Sequence, residues 1–391
     1  MTVSSGAIAP YDERASQRAV EELNVLQTPR DERIDRITRI AQEMFDVPMV
    51  SVTLLDGDRQ WRKSEIGLGG REAPREDAFC DFTVREGRTV VVPDATQDPR
   101  WARNPFVEGD PHLRFYAGHP LSARGGERIG TLCILDTKPR HLDARQERML
   151  RDLSGWVQSE IVAERELDDA VVVQRALLPR SVPDVPGYEL AAAAVAAGRV
   201  MGDFHDWYPA SGGVRVTVAD VMGKGLGAAI LAAGIRSSLR ALRDRDLLSS
   251  VTEAERQLES DASALGTFAT LFHAELDAAS GVLSFVDAGH SLAFILRSDD
   301  TWEHLRSSGM PLGMGFAEHR TVGRAVLDRE DILLICSDGL LDVLDETDPF
   351  EHVRRVVRHH DLQDSVGEAI RLSQSSVAPD DVTVVAIRRI A

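Results

Sequence analysis

The sequence predicts an α+β protein with two unlike halves joined by a long helix. Three observations indicate this class. Residues 31–136 contain an amphipathic helix followed by short apolar strands, residues 143–178 keep a helical apolar repeat, and residues 213–387 contain six strand patterns with helical stretches among them. Because 43% of the 391 residues are hydrophobic, each half can bury a core of its own.

Composition excludes several classes of function. The chain has 45 Lys and Arg against 63 Asp and Glu, a net charge of −18, which argues against a nucleic-acid partner because phosphate backbones require basic clusters. We find no apolar run long enough to cross a membrane and no signal-peptide pattern. The three cysteines are too few and too scattered for a disulfide framework, so we expect buried thiols and a cytoplasmic location.

The first half is predicted to be a sheet flanked by helices. Residues 1–14 are polar and aperiodic, which indicates a flexible N-terminus, and residues 15–149 are assigned to one domain. A helix should begin at Asp31, since apolar residues recur on one face from Ile34 to Phe45. Strands are predicted at 47–55, 88–93 and 128–136, a hairpin turn at 56–58 and a long loop at 99–111.

A helical segment should connect the halves. The apolar residues Leu150, Leu153, Val157, Leu167, Val171 and Leu178 lie close to a heptad seam. We therefore assign residues 150–180 to a helical linker, which either packs on its own domain or pairs with its copy in a homodimer. Pro179, Pro183 and Pro186 end the helix, and residues 181–391 form the second domain.

The second half is predicted to contain packed sheets with helices outside, because its strand patterns are short and separated by turn signals. The predicted strands are 213–220, 268–276, 281–287, 292–297, 332–336 and 382–387, and the predicted helices are 227–243, 247–265, 349–359 and 365–374.

Aspartates recur next to these strands. Asp220 ends the first strand, Asp338 follows the strand at 332–336, Asp380 directly precedes the last strand, and Asp203 lies in a glycine-containing turn. Strand ends meet at one sheet edge, where clustered carboxylates are costly unless a cation lies between them. An all-oxygen ligand set selects Mg²⁺ or Mn²⁺, and two such ions can polarise a phosphoryl oxygen and activate an in-line water. The pattern therefore indicates hydrolysis of a phosphate ester.

The second half contains seven motifs in chain order: Val200-Met201-Gly202-Asp203-Phe204-His205-Asp206, Ala219-Asp220-Val221-Met222-Gly223-Lys224-Gly225, Thr267-Phe268-Ala269-Thr270-Leu271, Ala288-Gly289-His290, Gly309-Met310-Pro311-Leu312-Gly313, Ser337-Asp338-Gly339 and Asp380-Asp381-Val382-Thr383. With these motifs, residues 175–391 resemble the SpoIIE-like branch of the PPM family of metal-dependent protein phosphatases.

The resemblance implies a β-sandwich flanked by helices and two Mn²⁺ or Mg²⁺ ions. Asp220 would bridge both ions, with the Val221 carbonyl as a further ligand, Asp203 on one ion, and Asp338 and Asp380 completing the shell of the other. It implies phosphoserine or phosphothreonine proteins as substrates, typically antagonists of anti-sigma factors. No P-loop of the Gly-x-x-x-x-Gly-Lys-Ser/Thr type is present, which disfavours a nucleotide cyclase or nucleotide hydrolase.

Two departures from the family pattern leave alternatives open. Met201 and His205 stand where the family has Gly and Tyr, so a non-catalytic interaction protein that keeps the fold remains the alternative function. His205 either donates to phosphate, acts as an acid, or is a partly exposed loop residue. Lys224 either attracts phosphate or is a solvated turn residue. Asp381 either hydrogen-bonds nearby backbone or takes the role of metal ligand in place of Asp380. For His290 we favour a structural hydrogen bond in its turn over a role as a catalytic acid.

The first half has motifs of its own, which are Phe79-Cys80, Val91-Val92-Pro93-Asp94-Ala95, Asp98-Pro99-Arg100-Trp101, Phe115-Tyr116-Ala117-Gly118, Pro120-Leu121 and Ile129-Gly130-Thr131-Leu132-Cys133-Ile134-Leu135-Asp136. With these motifs, residues 15–160 resemble a GAF domain. Such domains bind small molecules or serve to dimerise, so the ligand is unknown and the pocket could be empty. Cys80 is interpreted as a core thiol in preference to a chromophore attachment site. We expect the linker helix to transmit the sensor's state to the segment before Asp203.

Overall fold

The computed structural model describes residues 10–210, 212–315, 319–344, 348–375 and 379–391. The chain divides into two compact units, Met1–Glu166 and Leu167–Ala391. Among the helices in these described ranges, none is both long and apolar enough to cross a membrane.

The first unit is a six-stranded antiparallel sheet with helices, as the sequence predicts. The strand order is β3-β2-β1-β6-β5-β4. Its elements are α1 (Glu13–Leu23), α2 (Glu32–Phe45), β1 (Met49–Asp56), β2 (Arg59–Ile66), β3 (Glu72–Pro74), α3 (Phe79–Glu86), β4 (Val90–Val92), α4 (Pro105–Glu108), β5 (Phe115–Ser122), β6 (Arg128–Asp136) and the start of α5 (Ala144–Leu177).

The two faces of this sheet are covered differently. One face carries α1, α2 and the first part of α5, which bury a continuous core with alternate residues of β1 such as Val50, Val52 and Leu54. The other face packs against α3 and the segment that contains α4. Because side chains alternate along a strand, Ser51 and Thr53 point to this second face, where they line a cavity.

Three predictions for this unit need correction. Helix α1 begins at Glu13 with Asp12 as its N-cap, so residues 13 and 14 are helical and were wrongly placed in the flexible terminus. The predicted loop at 99–111 contains α4, which Asn104 caps at its N-terminus. The first half of α5 is part of the core, since Leu150, Val157 and Ile161 are fully buried, so a boundary at 149/150 falls inside a packed helix.

The second unit is a sandwich of two five-stranded sheets, ordered β14-β11-β10-β9-β8 and β13-β12-β15-β16-β7. The strands are β7 (Tyr188–Val195), β8 (Phe204–Ala210), β9 (Gly213–Val221), β10 (Ala269–Asp277), β11 (Val282–Ala288), β12 (Ala293–Leu296), β13 (Trp302–His304), β14 (Gly323–Val326), β15 (Ile332–Cys336) and β16 (Val382–Arg389). The helices are α6 (Leu226–Ala241), α7 (Leu247–Leu265), α8 (Asp338–Val343), α9 (Pro349–His359) and α10 (Leu362–Ser375).

Three apolar clusters hold this sandwich together. The central cluster joins the inner faces of both sheets, with Val216 and Phe272 from one sheet and Ile335 and Val385 from the other. A second cluster packs α6 and α7 on the outer face of the first sheet, and a third packs α8, α9 and α10 on the outer face of the second sheet. This confirms the predicted sandwich with helices outside.

Candidate functional site

Four segments of the second unit deliver the predicted aspartates to one edge of the sandwich. Asp203 directly precedes β8, Asp220 is the penultimate residue of β9, Asp338 begins α8 after β15, and Asp380 lies two residues before β16. β8 and β9 are neighbours in one sheet, and β15 and β16 are neighbours in the other. The strand order therefore places one pair of carboxylates on each sheet.

Backbone contacts bind these segments to one another. The Gly202 N–H donates to Asp381 Oδ2 at 2.7 Å, which joins the β8 turn to the start of β16. A Cβ on Gly202 would lie 2.9 Å from the Val221 carbonyl oxygen, and a Cβ on Gly339 would lie 2.1 Å from the Asp381 carbonyl oxygen. Both positions require glycine because the backbones touch there, and this contact brings the four aspartate segments together.

Asp381 is a structural carboxylate in this arrangement. Its Oδ1 accepts from the Ala197 N–H at 2.8 Å, and its Oδ2 accepts from the Gly202 N–H and, at 3.5 Å, from the Asp203 N–H. Its own carbonyl oxygen accepts from Ser337 Oγ at 3.1 Å. Asp381 therefore fixes the backbone on which Asp203 and Asp338 are mounted.

The predicted ligands have unusual electrostatics. Asp203 is 3% exposed, and burial together with the negative charge of Asp220 raises its pKa well above the usual range. Burial and the charges of Asp338 and Asp380 raise the pKa of Asp220 to about 6. Upward pKa shifts of this kind are typical of carboxyl groups that lie close to other negative charges in a partly buried site.

Asp380 and Lys224 form an ion pair at the rim of the site. The Lys224 Nζ lies 3.5 Å from Asp380 Oδ2, and it also donates to the Pro379 carbonyl oxygen. Both side chains are about half exposed, at 63% for Lys224 and 46% for Asp380. Lys224 is therefore held beside the carboxylates, with its ammonium group accessible to a ligand.

The donor set fits a hard divalent cation. All the candidate donors are oxygens, and Asp203 Oδ2 is buried without a hydrogen-bond partner. Burying an unpaired carboxylate oxygen is costly, and a bound cation would remove that cost. Within the described ranges, however, no three Asp, Glu, His or Cys side chains already stand close enough to hold an ion. The carboxylates share one edge, and their side chains would have to converge further on an ion.

His205 does not have the environment that the sequence suggested. It lies within β8, opposite Val218 of β9, and is 7% exposed, so the expectation of a partly exposed loop residue is wrong. The alternation of β8 explains this, since His205 shares the inner face with Trp207 and packs edge-to-face on its ring at 5.6 Å. Burial lowers the pKa of His205 to about 4, so the ring is neutral near pH 7.

His290 is also buried and neutral. Its backbone N–H donates to Asp287 Oδ1 at 2.8 Å, and its Nδ1 lies 3.2 Å from Thr270 Oγ1. Burial lowers its pKa to about 4. Both contacts hold the turn that follows β11.

Gln174 is a residue that the sequence reasoning missed as a contributor to the site. It lies near the C-terminal end of α5, within the second unit. Its Oε1 accepts from the Met201 N–H at 2.8 Å and its Nε2 donates to the Met201 carbonyl oxygen at 2.7 Å. The amide thus fixes the residue two positions before Asp203. In the sequence, Gln174 is visible only as a polar interruption of the apolar seam.

Asp206 was part of a quoted motif but received no role. Its carboxylate is buried and accepts from Arg240 Nε at 2.5 Å and from Arg240 Nη2 at 2.7 Å, while Arg236 Nε lies 3.4 Å away. Both arginines belong to α6, so this cluster fixes α6 to the strand that follows Asp203. In the sequence, the only sign of this cluster is the four-residue spacing of Arg236 and Arg240, which places both on one face of a helix.

Two families of known proteins match this chain. The family described as Stage II sporulation protein E (SpoIIE) matches residues 210–390, and the GAF domain matches residues 29–161.

Three curated proteins illustrate these similarities. Over 153 residues, 39% of this chain and 26% of the other protein, the chain is 39% identical to the cyclic di-GMP phosphodiesterase PA2567 of Pseudomonas aeruginosa. It is 26% identical to Protein IcfG of Synechocystis over 350 residues, 80% of this chain and 53% of that protein. It is 24% identical to the phosphoserine phosphatase RsbU of Bacillus subtilis over 251 residues, 60% of this chain and 72% of that protein. The matched part of this chain thus spans about a quarter of the length of PA2567 and about half the length of Protein IcfG.

Proposed function

We propose that the chain is a metal-dependent protein phosphatase controlled by a sensor domain, since residues 29–161 match the GAF domain family and residues 210–390 match the SpoIIE family. The reaction is hydrolysis of phosphoserine or phosphothreonine on a protein. The observation that carries the proposal is the buried, unpartnered oxygen of Asp203 at the edge where Asp220, Asp338 and Asp380 also lie.

Asp203, Asp220, the Val221 carbonyl, Asp338 and Asp380 are proposed to hold two Mn²⁺ or Mg²⁺ ions. When bound, such ions supply Lewis-acid polarisation of the phosphoryl oxygens and activation of an in-line water. The fold positions the backbone that carries these carboxylates, since Asp381 accepts hydrogen bonds from the Gly202 and Asp203 N–H groups directly before β8. The backbone is thus preorganised, whereas the four aspartate side chains would still have to converge on the ions.

Lys224 is proposed to bind the phosphate of the substrate. Its ammonium group is paired with Asp380 at 3.5 Å and is mostly exposed. Asp380 is among the residues that would hold a cation, and the Lys224 ammonium would then be available at the rim to neutralise a phosphoryl oxygen. His205 is left out of this step, because it is buried and neutral.

The proposed substrate is a phosphorylated antagonist of an anti-sigma factor. The order of the motifs in residues 200–383 supports this class, and one similar protein, RsbU, is named a phosphoserine phosphatase. The direct test is phosphate release from such a phosphoprotein of the same cell with Mn²⁺, with Mg²⁺ and with a chelator. We expect release only when a divalent ion is present. Release that persists in the chelator would overturn the proposed chemistry.

The alternative function is a non-catalytic interaction protein, which the departures at Met201 and His205 favour. The same experiment separates the two functions if ion binding is measured alongside it. An active phosphatase binds Mn²⁺ and releases phosphate, whereas an interaction protein does neither and still binds the phosphoprotein.

We also propose that α5 carries control from the sensor to the site. The support lies within the second unit, where Gln174 of α5 holds Met201 through two hydrogen bonds and Leu178 packs on the cluster beneath α6 and α7. A change at this end of α5 would move the segment before Asp203. We propose in addition that the chain forms a homodimer through α5 and the GAF domain.

A further inference from the structure

Two cysteine thiols face each other in the first unit. Cys80 is the second residue of α3 and Cys133 lies in the middle of β6, and their sulfur atoms are 3.8 Å apart. Both are free thiols, and they are 5% and 2% exposed. They are 53 positions apart in the sequence, so the fold alone brings them together.

The pair lies in the wall of a cavity of about 330 Å³. Ser51 and Thr53 of β1 and Tyr116 of β5 line the same cavity. A water molecule occupies about 30 Å³ of liquid, so a small oxidant such as a hydroperoxide fits beside the sulfurs. The thiols are therefore shielded from large reagents while facing a space that a peroxide can enter.

The surroundings give the two thiols different roles. Cys80 lies in the first turn of α3, where unpaired backbone N–H groups favour a thiolate. The hydrogen bond from Cys133 lowers the pKa of Cys80 to about 7, and the same contact raises the pKa of Cys133 well above its usual range. Cys80 is thus the nucleophile of the pair, and Cys133 is placed to react with it next.

We propose that Cys80 and Cys133 are a peroxide-oxidisable dithiol that closes to a disulfide in the wall of the GAF cavity. The Cys80 thiolate attacks one oxygen of a hydroperoxide, the O–O bond breaks, and the sulfur becomes a sulfenic acid while water or an alcohol leaves. Cys133 then attacks the Cys80 sulfur, the S–O bond breaks and the S–S bond forms with loss of water. Two thiols are oxidised and one peroxide is reduced.

Oxidation should change the cavity itself. A disulfide bond is shorter than the present 3.8 Å contact, so the two sulfur atoms must approach each other when it forms. Phe79 precedes Cys80 in α3 and stacks on Trp101 at 4.0 Å, so any shift of the first turn of α3 would be transmitted to this packing. The wall of the cavity would therefore differ between the oxidised unit and the reduced unit.

The test uses the full chain, treated with hydrogen peroxide, quenched with an alkylating reagent under denaturing conditions and digested with trypsin without reduction. Cleavage after Arg75, Arg85, Arg128 and Arg140 isolates the two cysteines on separate peptides, residues 76–85 and 129–140. We expect one disulfide-linked species of these two peptides, which disappears on reduction, with Cys336 alkylated.

Three variants make the result specific. Cys133→Ser should stop the reaction at a Cys80 sulfenic acid that dimedone labels, and Cys80→Ser should leave Cys133 alkylated. Cys336→Ser is the matched control, since Cys336 is a buried free thiol in the other unit. This variant should form the disulfide-linked pair of peptides 76–85 and 129–140 to the same extent as the wild type. Cys80→Ala replaces Cys80→Ser if the serine variant does not fold.

The proposal would be overturned if both thiols remain alkylatable at a peroxide concentration that oxidises glutathione. It would equally be overturned if the linked peptides arise only between two chains, seen as a covalent dimer on a non-reducing gel. It would also fail if Cys133→Ser gives no dimedone adduct on Cys80.

Discussion

The carboxylate of Asp203 lies in a nearly water-free position with one unpartnered oxygen. Its pKa is raised by burial and by Asp220, which means that keeping it charged near pH 7 costs stability. Asp381, whose Oδ2 lies 3.5 Å from the Asp203 N–H, has the opposite character, because backbone N–H groups satisfy both of its oxygens. Two aspartates at one edge thus differ in function, one available to a cation and the other committed to the backbone.

This difference predicts opposite effects of two substitutions. Asp203→Asn should raise the free energy of unfolding by about 1–2 kcal/mol in chelator, because it removes an uncompensated buried charge. The same variant should lose about 100-fold or more of the Mn²⁺-dependent activity. Asp381→Ala should lower the free energy of unfolding by about 1–3 kcal/mol, since it leaves buried N–H groups unpaired. Urea unfolding and phosphate release measure these effects, and a destabilised Asp203→Asn would contradict the account.

His273 of β10 gives a prediction about pH. Its Nδ1 lies 2.8 Å from Thr217 Oγ1, and complete burial lowers its pKa to about 3. The unfolded chain takes up this proton below about pH 6.5 and the folded chain does not, so the neutral ring's contribution is present above that pH and is lost as the pH falls. Between pH 6.5 and 5 the loss should be on the order of 2 kcal/mol.

The matched variant is His273→Gln, which keeps a polar group for Thr217 but does not titrate. Its free energy of unfolding should fall less steeply than that of the wild type between pH 6.5 and 5, as measured by urea unfolding at each pH. Parallel curves would show that His273 does not control this pH dependence.

At the scale of elements, the α5 tail that carries Gln174 is the connection to be tested. Gln174→Ala removes both hydrogen bonds to Met201 and should raise the Mn²⁺ concentration for half-maximal activity several-fold, because the segment before Asp203 loses its anchor. The free energy of unfolding should fall by about 1–2 kcal/mol. Arg175→Ala, at the next and exposed position, is the control and should leave both quantities unchanged. An equal effect of the two variants would show that Gln174 has no special role.

The element scale also shows what the sequence could predict. Strands with an apolar run, such as β1, β6, β15 and β16, were predicted because burial on both faces leaves a continuous pattern. β7 was missed because its run of alanines has little strand preference.

Two other strands were missed because they contain proline. β8 is an edge strand, where Pro209 is tolerated since no further strand needs its N–H. In β5, Pro120 lies beyond the residues that pair with β4. Sheet position, which the sequence does not state, decides whether proline is allowed.

The site was predictable only in part for the same reason. Aspartates at strand ends were visible, because the strands were visible. The inward direction of His205 depends on the pairing of β8, and the Gln174–Met201 contact joins segments 27 residues apart. Neither register nor such contacts can be read from residue types alone.

At the scale of the whole molecule, α5 presents Val172 and Val173 to solvent, at 67% and 61% exposure. Both valines follow the seam residue Val171, and as exposed apolar side chains beside the seam they are expected to be covered in the proposed homodimer. Val172→Glu with Val173→Glu should therefore convert a dimer to a monomer in light scattering. Val322→Glu is the control, since Val322 is also exposed but lies outside α5, and this variant should remain dimeric. A wild-type monomer would contradict the dimer.

The most direct measurement of the central claim is calorimetric titration of Mn²⁺ into the full chain and into Asp220→Asn, with phosphate release recorded on the same samples. Asp220 is one of the residues that would hold the ions, and its pKa is raised to about 6 by burial and by neighbouring carboxylates. The account predicts that the wild type binds two ions per chain and releases phosphate from a phosphoprotein, and that the variant does neither while keeping its fold. Turnover by Asp220→Asn at the wild-type rate, or full activity of the wild type in chelator, would contradict it.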